Sequence, residues 1–166
     1  LGETYFDKNE YQKSQDYHSK AALLLEYCKV WPSVISSKKI ALVRAEVMNG
    51  EKDIDLESLN EHANANKIKL YEGMVARHIS EILLNIDNGH ISEVEEWIKR
   101  AIETDKKNGL IWWHLAKNYA QYAELFKRKG DLSKTTEYLV EAIKIFKDCG
   151  ADGWADKYKK ELSELH

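Results

Sequence analysis

Four turn positions recur along the chain at a nearly constant interval, and this repetition restricts its fold more than any single motif does. Asn9, Gly50, Gly89 and Gly130 lie 41, 39 and 41 residues apart. Asn and Gly accept the positive φ of a left-handed helix cap, so each position is read as the turn of a helical hairpin. About twelve residues beyond each turn comes a small residue, Ala21, Ala63, Ala101 or Ala142, where two helix axes are expected to approach closely. A further glycine, Gly73, Gly109 or Gly150, is expected to end the second helix of each of the last three units. Hairpins repeated in this way leave apolar faces that only their neighbours can cover, which is the logic of a solenoid.

The rest of the sequence agrees with helices throughout. With one proline and eight glycines there are few breakers, and apolar residues recur at steps of three and four. Trp112, Leu115, Tyr119, Tyr122 and Phe126 form one stripe; Trp154, Tyr158, Leu162 and Leu165 form another. Strand-like alternation is not sustained anywhere, so an all-α fold is expected. A length of 166 residues suits one domain with a continuous core, and a net charge of −3 gives no global attraction to nucleic acid or anionic membrane. The longest strictly apolar run is Ala21–Leu25, far short of a membrane span. Cys28 and Cys149 belong to no Cys/His cluster and read as reduced thiols of a cytoplasmic protein.

KGDLSKTTEYLVEAIKIFKDCG, with Gly130-Asp131 at the turn, Thr135 at the next small position and Ala142 seven residues on, is similar to the tetratricopeptide repeat. Ser14 with Ala21 and Val94 with Ala101 keep the same offset. CGADGWADKYKKEL resembles the helix that closes long-unit arrays of this kind in multidomain signalling proteins. The resemblance implies a right-handed superhelix of hairpins, with units of roughly 1–31, 32–72, 73–108 and 109–149 and a capping helix over 152–166. It further implies that the chain is the C-terminal part of a longer protein. Its first unit would then be open, with Tyr5 and Phe6 lacking a neighbour and available for a homodimer.

Such arrays bind protein or peptide partners, or a domain of the same polypeptide, on their concave surface and carry no catalysis or cofactor of their own. In their register Trp113, Lys117, Gln121, Glu124 and Arg128 share the groove-lining flank of a first helix, with Arg44 and Arg77 at comparable places in the second and third units. The alternatives are packing of Trp113 against an adjacent hairpin and plain solvation of the two arginines. The positions of the family's carboxylate clamp fall on Ala120, Gln121, Glu124 and Arg128, of which only Arg128 fits. The expected function is a protein-interaction or regulatory domain, with nucleic-acid binding along a basic flank as the alternative.

Other chemistry finds little support. NIDNGHISEVEE at 85–96 looks like half of a calcium loop, but with Gly89 at the sixth position the first and third ligands would be Leu84 and Ile86. The six histidines show no zinc-ligand spacing, and His78 with Glu81, one turn apart, reads as a surface contact. No phosphate cradle or nucleophile with a neighbouring base is evident, so neither a metal nor catalysis is expected.

Overall fold

The computed structural model describes residues 1–29, 31–87, 89–109 and 112–165; Asn88, beside the third turn, and His166, the end of the expected capping helix, lie outside them. Among the described residues the protein is all-α, with nine helices and no strand. They are α1 Gly2–Asp7, α2 Tyr11–Tyr27, α3 Pro32–Met48, α4 Leu56–Ala65, α5 Lys69–Ile86, α6 Ile91–Asn108, α7 Trp112–Arg128, α8 Leu132–Asp148 and α9 Asp152–Ser163. None is long and apolar enough to cross a membrane.

Local chemistry explains several helix ends. Pro32 opens α3, where its missing N–H costs nothing. Asp55 caps α4 by accepting from Ser58 N at 3.0 Å, and Asp131 caps α8 by accepting from Lys134 N at 3.0 Å. Asn9 and Gly130 adopt the expected left-handed turns, with φ of 60° and 75°. Gly89 does not, because the Asp87 side chain takes the Gly89 N–H and tightens that turn.

Gly73 departs from expectation as well. Rather than ending a helix it is buried inside α5, and α4 already stops at Ala65, so the third hairpin begins at Lys69 rather than at 73. Gly73 serves a close approach: an added Cβ would overlap the Asp105 carboxyl of α6, which Asn118 Nδ2 holds at 2.8 Å. Gly73→Ala is therefore expected to destabilise by about 1–3 kcal/mol through overpacking. A lower urea midpoint with an unchanged slope would show it; an unchanged midpoint would mean that Asp105 swings aside freely.

The offset positions Val94, Ala101, Thr135 and Ala142 are fully enclosed. In the first unit Ser14 is enclosed but Ala22 takes the place expected of Ala21, a slip of one residue along α2. Ile40, Ile79, Ile82, Ile98, Leu125, Leu139 and Phe146 form the centre of the core. Tyr138 of α8 stacks on Tyr122 and Phe126 of α7, with ring centroids 4.4 and 5.5 Å apart. On α9, Trp154 and Tyr158 stack on Phe146 at 5.8 and 5.6 Å.

Two apolar expectations are corrected. Trp112 is 59 % exposed, since as the first residue of α7 it overhangs a crevice beside Tyr119 and Ile145 instead of entering the core. Tyr5 and Phe6 are not an open edge: Tyr5 stacks on Tyr17 at 5.2 Å, and Phe6 is buried edge-on to Tyr11. The side chains of α2 and Arg44 of α3 cover those of α1.

Candidate functional site

The side chains of α1, α3, α5, α7 and α9 converge on a cavity of about 290 Å³. Arg44, Arg77, Lys117, Gln121, Glu124 and Arg128 all line it. Helical spacing explains the α7 contribution, because Lys117, Gln121, Glu124 and Arg128 follow one another at steps of three and four along one flank. Trp113 stands outside the cavity, in the neighbouring crevice between α1 and α9, with its ring edge-on to Trp154 at 6.2 Å. It packs against a neighbouring helix.

Solvated arginines are not what the structure contains. Arg44 is 3 % and Arg77 2 % exposed, and Glu81 on α5 holds both. One Glu81 oxygen accepts from Arg44 Nε, the other from Arg77 Nη1 at 3.0 Å. Arg44 Nη1 also donates to Glu3 Oε2 at 3.0 Å, and its guanidinium carbon lies 3.4 Å from the centre of the Phe6 ring. Burial of three charges is tolerated because each guanidinium finds an oxygen in fixed geometry.

His78 is fully buried within this network and is not a surface partner of Glu81. Its Nε2 stands 3.1 Å from Arg44 Nη1, and a guanidinium can only donate, so Nε2 accepts and the ring proton sits on Nδ1. Burial first, and Arg44 second, hold His78 well below the usual imidazole range. For Glu3, burial acts to raise the carboxyl, but His78, the His18 side chain and the two arginines together hold it well below the usual range. On α7, burial together with Arg77 and Lys117 pulls His114 down to about 4.

The opposite wall is tied across the site by a pair distant in sequence. Lys117 Nζ donates to Asp7 Oδ1 at 2.7 Å, a contact spanning 110 residues. The same ammonium lies 4.0 Å from the Trp113 ring centre and 4.6 Å from that of Trp154. Burial, with Arg77 nearby, draws Lys117 down to about 8 against the pull of Asp7. At the far end Arg128 pairs with Glu124 at 2.8 Å and donates to the Leu84 carbonyl and Asn85 Oδ1, joining the ends of α5 and α7.

Among the described residues, two donors in the cavity wall are without an acceptor, the Nε of Arg77 and the amide nitrogen of Gln121. Buried orphan donors are uncommon and costly. The arrangement is thus a lined, charged recess with unmet demand for an oxygen acceptor. Among the described residues no group of three His, Cys, Asp or Glu side chains is placed to hold a metal ion.

Sequence reasoning did not single out Glu3, Phe6, Asp7, Glu81, Trp154 or Tyr158 for this site. The i, i+4 spacing of Arg77 and Glu81 is a legible signal for their pair. Nothing local marks Asp7, because its partner lies on a helix far along the chain. Comparison of the chain with protein-family models, with curated proteins and with solved structures returns no match.

Proposed function

We propose that this chain is a protein-interaction or regulatory domain of helical-repeat type, stacked in the manner of a tetratricopeptide right-handed superhelix and belonging to a larger signalling or transcription-regulating protein. It binds a partner segment in the recess formed by α3, α5, α7 and α9. The observation that supports this is the convergence of Arg44, Arg77, Lys117, Gln121, Glu124 and Arg128, picked from the repeat register, on one cavity. Trp154 and Tyr158 add aromatic surface to the same walls, and Trp, Tyr and Arg are the residues that anchor interfaces. The orphan donors of Arg77 and Gln121 give a peptide carbonyl or carboxyl somewhere to land.

A displayed library of random peptides selected against the whole chain tests this reading. Selected peptides are expected to lose at least about tenfold in affinity when Gln121 and Arg128 are both changed to alanine. They are expected to bind unchanged when the exposed Glu137 of α8 is replaced. Peptides that ignore the Gln121/Arg128 pair, in a variant whose helix content and melting are intact, would move the interaction away from the recess.

A further inference from the structure

We infer that α1 occupies part of the recess as an internal ligand, and that the partner which displaces it is a short helical segment carrying two acidic residues around an aromatic one, spaced as Glu3, Phe6 and Asp7 are. This rests on the interaction reading above and specifies its partner.

A helix as short as Gly2–Asp7 has no stability of its own in water, so its shape is set by what it touches. Glu3, Phe6 and Asp7 stand at i, i+3 and i+4 and share one face. Each meets a buried cation of another helix. Glu3 accepts from Arg44 at 3.0 Å, Phe6 lies beneath the same guanidinium, and Asp7 accepts from Lys117 at 2.7 Å. The backbone seats closely as well: Ser14 Oγ donates to the Gly2 carbonyl at 3.0 Å, and a Cβ at Gly2 would collide with the His18 ring.

This geometry dictates what can replace α1. Arg44 and Lys117 are 3 % and 5 % exposed, so a segment arriving without acids would leave Lys117 without its carboxylate and Arg44 with Glu81 alone. A basic segment would meet direct repulsion, so the recess selects by penalty as well as by attraction. An acidic segment also has something to gain over α1. Arg77 Nε and the Gln121 amide, which α1 leaves without an acceptor, would each take an oxygen from a longer ligand.

The probe is the synthetic peptide LGETYFDKNE, the sequence of residues 1–10, titrated into the whole chain and into the whole chain carrying Phe6→Ala, which loosens the internal copy. Apparent affinity falls in proportion to the open fraction, so binding to Phe6→Ala is expected to be roughly tenfold tighter than to the unmodified chain. Adding Lys117→Ala is expected to abolish that gain. In the unmodified chain, saturating peptide is expected to speed amide exchange in α1 and leave α3 and α7 protected, a readout that holds even if Phe6→Ala folds poorly. Equal affinity for both chains with no change in α1 exchange would overturn the inference. If a peptide with lysine at both acidic positions binds as tightly, and Gln121/Arg128 replacement weakens it, the recess is an interaction site but its acidic selectivity is refuted.

Discussion

Replacing Glu81 with alanine is expected to lower the unfolding free energy by about 3–5 kcal/mol, as removal of one member of a buried charge network does. Glu81 is the single carboxylate shared by Arg44 and Arg77, which are 3 % and 2 % exposed. Without it, among the described residues, Arg77 keeps no carboxylate partner, while Arg44 retains only Glu3. Glu81→Gln keeps the volume and one acceptor oxygen, so a smaller loss is expected. The contrast is Glu124→Ala, which removes a pair about a third exposed and is expected to cost under about 1 kcal/mol. Urea unfolding of the three variants under one buffer measures the difference. Equal, small losses for Glu81→Ala and Glu124→Ala would show that water reaches the arginines and that the network is not desolvated.

The second large effect is acid sensitivity. His114 is held at about 4 in the fold against 6.5 unfolded, so as pH falls from 6.5 toward 4 the unfolded chain binds a proton that the native chain refuses. Stability is therefore present above pH 6.5 and lost on acidification, by about 2 kcal/mol between roughly pH 7 and pH 5 from this group. His78, shifted in the same direction and fully buried, adds to the loss. His114→Leu is expected to remove its share and flatten the acid limb. Lys117 acts with the same sign on the alkaline side: with about 8 in the fold against 10.5 unfolded, it contributes rising stability as pH climbs between those values. Denaturation midpoints across this range give both slopes, and a midpoint flat from pH 7 to pH 5 would contradict the buried imidazoles.

The repeat spacing carried much of this structure, and for a clear physical reason. Turns at Asn9, Gly50 and Gly130 and enclosed small residues at Ala101 and Ala142 are local consequences of helix geometry. The flank from Lys117 to Arg128 was equally legible, because residues three and four apart on a helix must face the same way. Gly73 was misleading, since glycine serves both to end a helix and to admit a neighbour, and only the position of Asp105 decides between them. Trp112 was misread because periodicity places a side chain on a face but does not say whether a neighbouring helix extends far enough to cover it. In the sequence Glu3 and Asp7 are merely acidic residues near one end. Their meaning lies in Arg44 and Lys117, which spacing rules do not connect to them.

The bond between Asp7 and Lys117 has a consequence for how the chain is made. Most helices here pack on near neighbours in sequence, and such contacts close early because little loop entropy opposes them. The Asp7–Lys117 contact spans 110 residues and closes late. During synthesis Glu3, Phe6 and Asp7 leave the ribosome long before Lys117 exists, so through most of translation the α1 face has no far wall and stands open to any partner offering a matching cation.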